Sequence, residues 1–268
     1  MKYETFILRN SGYITELEQE RIKNTKILIA GCGVGSSIAE AALRMGFINI
    51  TLVDGDTVSE SNLNRQFYSY SDVGKPKVEA LKQRLLNICP FANIKAINAF
   101  LTKDTVSDVV SECDMIFDTV DFLDLSAITY LHDAAHAQKK PLISAVSAGW
   151  GAVVMFFSGQ SSQDYCQFRD LLNLPSQGDV AHCSYIEHFK PFLSSVAPLL
   201  DESILNAMAK ALTMMEDNIP CPAPHLSVGS FSVAALSLTC AINYMRGEMP
   251  VEYTKPIVVS LNQIARQN

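Results

Sequence analysis

Lys26-Ile-Leu-Ile-Ala30, then Gly31-Cys-Gly33-Val-Gly35, then Ser36-Ser-Ile-Ala-Glu-Ala-Ala-Leu-Arg-Met45 is a short β-branched run, a glycine turn and a stretch rich in alanine and leucine. It reads as strand, turn, helix. Asn49 to Val53 is a second apolar run closing on Asp54, and a long polar loop follows from Gly55 to Gly74. Loops of that length often carry function. Lys77 to Ile88 has apolar residues at helical spacing, with Pro76 just inside the start, where a missing N–H costs nothing. Strand Ile94 to Ala99, helix 103–112, strand Met115 to Asp118, helix 123–138 and strands Pro141 to Val146 and Ala152 to Phe157 continue the alternation. It predicts an α/β fold: a doubly wound, Rossmann-like, mainly parallel sheet with helices on both faces. The pattern breaks at Ser158. Residues 159–224 read as a partly helical insertion or crossover region within one domain spanning 1–268, its pieces separated by Pro175, Gly178, Pro191 and Pro198. Helix 227–245 and a last strand, Ile257 to Leu261, return to the main sheet.

Composition narrows the partners. A formal charge of -7 and a sequence pI near 5.2 argue against a broad basic surface for nucleic acid. Charged residues make up only 18%, below the roughly 25% of average chains. A homo-oligomer that buries surface explains that balance. Met1 to Asn10 has no apolar core of a signal peptide, and Val233 to Met245 falls short of the ~20 apolar residues a membrane span needs. Seven cysteines without an export signal suit reduced thiols in the cytoplasm.

Gly31, Gly33 and Ser36 stand where a Gly-x-Gly-x-x-Gly turn places its glycines, and Gly35 adds freedom. N–H groups at such a helix start attract phosphate, and a carboxylate at Asp54 accepts hydrogen bonds from ribose hydroxyls. Adenosine binding follows, but the turn alone fits NAD, FAD, S-adenosylmethionine or ATP. The discriminating run is Asp54-Gly-Asp56-Thr-Val-Ser-Glu-Ser-Asn62-Leu-Asn64-Arg65-Gln66-Phe67 with Gly74-Lys75-Pro76-Lys77 after it. A hydride-transfer enzyme has no use for it. Arg65 and Lys77 supply two cations for a triphosphate, where charge grows on departing pyrophosphate. Asp121, after the strand at Met115 to Asp118, can hold Mg²⁺ against the phosphates.

Through Ser61-Asn-Leu-Asn-Arg-Gln66 above all, the sequence resembles the superfamily of ubiquitin-activating-type enzymes that includes the ThiF, MoeB and HesA sulfur-carrier activators. The resemblance covers about residues 5–158 well and 222–262 loosely. It implies ATP-dependent adenylation of the C-terminal carboxylate of a small ubiquitin-like protein or peptide. It also implies ribose contacts from Asp54, nucleotide contacts from Asn62 and Arg65, a phosphate contact from Lys77, a metal role for Asp121, and a dimer in which Arg9 reaches the partner's ATP. Two departures stand out. Val34 replaces a glycine common in the family's turn, and the family's Thr-Asp-Asn is here Val120-Asp121-Phe122. The structural zinc that many relatives hold with two Cys-x-x-Cys pairs is not expected, because Cys166, Cys183, Cys221 and Cys240 lack that spacing.

Plainer readings apply elsewhere. Asp121 also suits a helix N-cap; Asp56 either binds nucleotide or shapes its loop; Lys75 is a solvated cation. Cys221, in Ile219-Pro-Cys-Pro-Ala-Pro224, is the best-placed thiol for a covalent step, against a structural role, while Cys32 and Cys240 read as packing. His132-Asp-Ala-Ala-His136 has the spacing of a zinc helix but lacks its glutamate, and Trp150 reads as packing or, as the rival role, substrate recognition. The rival functions are a NAD- or FAD-dependent oxidoreductase, a non-catalytic partner-binding scaffold of the same fold, and a dehydratase acting on a carboxylate of a tRNA nucleoside.

Overall fold

β1 (Lys26–Ala30) is apolar at four successive positions because both of its faces are covered: Ile27 and Ile29 enter one core and Leu28 and Ala30 the other. Such runs are the mark of a parallel strand buried on both sides. The computed structural model describes residues 1–160, 167–216, 224–248 and 255–266. With β2 (Asn49–Val53), β3 (Asn93–Ile97), β4 (Met115–Asp118), β5 (Leu142–Ala148), β6 (Gly151–Phe157) and β7 (Ile257–Ser260), β1 forms a seven-stranded sheet in the order β3-β2-β1-β4-β5-β6-β7. β1 to β5 pair in parallel, whereas β6 runs antiparallel to both of its neighbours, β5 and β7, so that β7 again points the same way as β1 to β5. The antiparallel pair β5–β6 turns tightly at Gly149 and Trp150, and a Cβ on Gly151 would run into the carbonyl of Val259 on β7. A glycine there lets the last strand close up.

After a short α1 (Tyr3–Phe6), helices α2 (Glu16–Asn24), α3 (Gly35–Met45) and α4 (Lys77–Ile88) lie along the first half of the chain. α5 (Val106–Ser111), α6 (Leu125–Ala137), α7 (Gln167–Leu171), α8 (Tyr185–Val196), α9 (Glu202–Glu216), α10 (Ser227–Arg246) and α11 (Leu261–Arg266) complete them. Ile38, Leu43, Leu81, Val233 and Ala241 from α3, α4 and α10 cover one face of the sheet. Ile128, Leu131, Phe168, Phe189, Phe192 and Ile204 from α6 to α9 cover the other. α10 is long and apolar enough to cross a membrane by length and composition; here it packs against α3, β5 and β6.

Three expected boundaries shift. Helix 103–112 starts only at Val106, and Pro76 is the N-cap of α4 rather than its first residue. Pro191 does not separate two helices but lies inside α8. An interior proline costs about 3 kcal/mol, and burial of Phe189, Phe192 and Val196 on the same helix offsets it at roughly 1.5–3 kcal/mol per side chain.

The two ends of the chain are tied by charge. Thr15 and Glu18 form a capping box at the start of α2, and Arg246 at the end of α10 donates to Glu18 Oε1 at 2.7 Å and to the carbonyl of Tyr13 at 2.9 Å. The Arg246 hydrogen bond, with those from Thr15, lowers the Glu18 carboxyl to about 2. A depressed carboxyl stabilises the fold above the ordinary glutamate range and stops doing so as pH falls through about 2. In paired thermal melts Glu18→Gln is expected to lie below wild type at neutral pH and to converge with it near pH 2; a gap of constant size would show that the tie contributes nothing.

Candidate nucleotide site at the carboxyl edge of the sheet

The strand order reverses at β1: β2 and β3 extend to one side and β4 begins the other. In open α/β sheets this switch point opens a crevice beyond the carboxyl ends of the strands. Ala30 pairs with Val53 and with Asp118, so Gly31, Asp54 and Thr119 stand at one level on its rim. Gly31 has φ +84°, and a Cβ there would strike the Thr119 carbonyl. Thr119 Oγ1 donates to Gly31 O at 2.7 Å, locking the turn against β4.

The turn is then fixed by hydrogen bonds with its neighbours. Cys32 N–H donates to Asp54 Oδ2 at 2.6 Å and Asp56 N–H donates to Asp54 Oδ1 at 2.8 Å. The backbone thus fixes both carboxylate oxygens while each keeps a lone pair for a ligand hydroxyl. Ser36, buried, donates to Gly33 O at 2.6 Å and accepts from Phe67 N–H at 3.0 Å, joining the turn to the polar loop. Tyr68 donates to Cys32 O at 2.7 Å. Among the described residues the N–H groups of Gly33, Val34 and Gly35, where α3 begins, donate to no partner. Val34 leaves the turn intact: it sits in the helical region, where no glycine is needed. Burial pushes the Cys32 thiol well above its ordinary range, which keeps it a packing residue.

Around this cradle stand the charged candidates. Lys77, at the first position of α4, is buried and donates to exposed Asp56 at 2.7 Å. Arg65 donates through Nη1 to Ser61 O at 2.8 Å and to Asn64 Oδ1 at 2.9 Å. Burial lowers the Arg65 pKa, and nearby Asp121 opposes that shift, so the two side chains lie within electrostatic reach. Asn62 Oδ1 accepts from Ser59 N–H at 3.0 Å, so it also shapes the loop. Asp121 is exposed and accepts from Leu123 N–H at 3.0 Å in a local turn. The helix N-cap role belongs to Asp124, which accepts from Ala127 N–H at 3.0 Å. Lys75 pairs at 3.2 Å with Asp72, away from this group. Arg9 is exposed in the N-terminal segment, and Cys221 and Cys166 lie outside the described residues.

Two side chains that carried no sequence signal join the site. A Cβ on Gly55 would meet the Phe100 ring at 2.6 Å, so this exposed aromatic lies over the backbone next to Asp54. His225, just ahead of α10, feels both Arg65 and Asp121, and its carbonyl accepts from Asn64 Nδ2 at 3.4 Å. Below the rim, His132 Nε2 lies 3.0 Å from Asp118 Oδ2, which also accepts from Ser144 Oγ at 2.9 Å. Asp118 Oδ1 accepts from Val120 N–H at 3.1 Å, so this buried group sets the path of the chain into Asp121. His132 is therefore committed to Asp118 rather than to a metal with His136, and among the described residues no group of three or more His, Cys, Asp or Glu converges to hold an ion. Phe122 packs on Phe189 of α8 at 5.5 Å. Trp150, at the β5–β6 turn, is 42% exposed.

A carboxylate held by two backbone N–H groups, free amides at a helix start, two cations and an exposed carboxylate form an arrangement suited to a nucleoside phosphate. The model of the ThiF family matches residues 8–251. The chain belongs to the ThiF family. Among ThiF-family relatives it is similar to the molybdopterin-synthase adenylyltransferase of Escherichia coli K12, with 33% identity over 147 residues, 54% of this chain and 58% of the relative. It is also 36% identical over 146 residues to the tRNA threonylcarbamoyladenosine dehydratase of Bacillus subtilis, 52% of this chain and 56% of the relative. The chain thus spans little more than half the length of these curated relatives. The crystal structure of E. coli MccB with ATP shares the fold, with a TM-score of 0.65 over 91% of this chain and 63% of that one at 22% identity.

Proposed function

We propose that this ThiF-family protein uses ATP to adenylate the C-terminal carboxylate of a small ubiquitin-like protein or peptide, releasing pyrophosphate. The observation that carries the reading is the half-buried Arg65 within electrostatic reach of Asp121, together with a glycine turn at the switch point whose amides donate to no partner among the described residues. Asp54 takes the ribose hydroxyls, the Phe100 ring offers adenine a flat apolar face, and the amides of Gly33 to Gly35 meet the phosphates. Lys77 and Arg65 bring positive charge to the two ends of the phosphate chain. The substrate carboxylate, already ionised, needs no base: its oxygen forms a bond to the α-phosphorus as the α–β bridging bond breaks. The site's part is positioning and charge stabilisation. Asp121 fits Mg²⁺, which is held by one or two carboxylates plus phosphate oxygens and neutralises charge when bound.

The N-terminal segment that carries Arg9 leaves Leu8, Tyr13 and Leu17 exposed, apolar surface that supports a homodimer delivering Arg9 to the partner's nucleotide. The five described cysteines are free thiols, which supports a reducing, cytoplasmic setting. Trapping tests the chemistry. With ATP, Mg²⁺ and hydroxylamine, peptides bearing a free C-terminal carboxylate are expected to yield C-terminal hydroxamates by mass spectrometry, and carboxamide-capped peptides none. Hydroxamate absent from every small ubiquitin-fold protein and peptide supplied would count against the proposal.

One observation favours a second reading, the 36% identity to the tRNA threonylcarbamoyladenosine dehydratase. In that case the activated carboxylate would belong to a tRNA nucleoside. The net charge of -7 weighs against it, since phosphate contacts dominate tRNA affinity. AMP release driven by modified tRNA and by no peptide would select it.

A further inference from the structure

His225 presents the least explained polar atom beside the crevice. Its Nδ1 is completely buried and has no hydrogen-bond partner. A buried polar atom left unpaired costs about 1–3 kcal/mol, and native proteins rarely keep one without a use. The imidazole lies within electrostatic reach of both Arg65 and Asp121, the cation and the carboxylate that the ATP reading assigns to the phosphates and the metal. A chain of contacts ties them together: Arg65 Nη1 donates to Asn64 Oδ1, and Asn64 Nδ2 donates to the carbonyl of His225. The segment leading into α10 is thereby joined to the loop that carries Arg65. Burial, reinforced by the Arg65 charge, lowers the His225 pKa, which favours the neutral ring with one N–H to donate. Metal ligation does not account for the site, because His225 and Asp121 alone are too few and no third ligand converges among the described residues.

We propose that His225 is a nucleotide-binding residue of the same site, a turn of the ring on binding bringing its shielded Nδ1–H to an anionic oxygen of the phosphate chain. This rests on the ATP reading above and deepens it. The anion that pairs with Arg65 also satisfies the orphaned ring nitrogen, and nucleotide binding then holds the α10 lead-in against the loop of Asn64. A nucleoside without phosphates gains nothing from His225.

Calorimetric titration of MgATP and of adenosine into wild type, Arg65→Ala, His225→Ala, His225→Asn and His225→Gln tests it. An asparagine amide nitrogen occupies the place of Nδ1, whereas glutamine places its nitrogen nearer Nε2. His225→Ala is expected to weaken MgATP by about ten- to hundred-fold, as for a charge-assisted hydrogen bond, with adenosine affinity and melting temperature unchanged. His225→Asn restores MgATP binding to within about threefold and His225→Gln does not. Wild-type MgATP affinity in His225→Ala, equal losses for adenosine and MgATP, or rescue by glutamine alone would each overturn the assignment while leaving the ATP site standing, provided Arg65→Ala binds weakly. Wild type that binds no MgATP, or Arg65→Ala that binds it fully, would overturn the reading of the site and this assignment with it.

Discussion

Arg65→Ala is expected to lower carboxylate-dependent pyrophosphate exchange by about 10²–10³-fold, the usual effect of removing one preorganised donor from a developing anion. Among the described residues the guanidinium donates hydrogen bonds only within its own loop, to Ser61 O and Asn64 Oδ1. Its loss should therefore leave the melting temperature nearly unchanged. Lysine is not expected to substitute, because a planar fork that holds two loop acceptors and still presents an edge to phosphate has no ammonium equivalent. Exchange rates with saturating ATP and melting curves for Arg65→Ala and Arg65→Lys check this. A loss of stability matching the loss of activity would recast Arg65 as a loop brace.

His132→Ala is expected to show the opposite balance, destabilising the fold by about 3–5 kcal/mol. The ring is stacked on Phe168 at a centroid distance of 4.2 Å and meets Phe157 edge-on at 4.7 Å, so its removal leaves a cavity. It also strips one of the three hydrogen-bond partners from Asp118, a carboxylate only 3% exposed. Urea unfolding at neutral pH measures the loss. Because Asp118 orients Val120 immediately before Asp121, the surviving folded fraction should also show impaired exchange in Mg²⁺ titrations. A variant as stable as wild type would mean that the buried group is dispensable.

The strand–turn–helix at Lys26 to Met45 was legible because both faces of β1 are buried, which leaves an unbroken apolar run and a glycine where φ is positive. The ThiF-family expectation rested on Ser61 to Gln66, and the family match agrees with it. The reversed direction of β6 was not legible, since a fully buried apolar strand reads the same whichever way it runs. Pro191 suggested a break that packing of Phe189 and Phe192 overrides. Phe100 and His225 were out of reach for another reason. Each is brought to the crevice by tertiary packing, Phe100 from the chain beyond β3 and His225 from just ahead of α10, where neighbours in sequence carry no motif. Asp121 shows the limit of local rules, because its carboxylate serves a two-residue turn and the capping role passes to Asp124.

The most direct test of the account is ATP–pyrophosphate exchange, measured with labelled pyrophosphate in the presence of small ubiquitin-fold proteins ending in a free carboxylate and of the same proteins with the C-terminal carboxylate amidated. The account predicts label entering ATP only with the free carboxylate, and loss of that label in Asp54→Ala and Arg65→Ala. Exchange independent of any carboxylate, or unchanged in both variants, would contradict it.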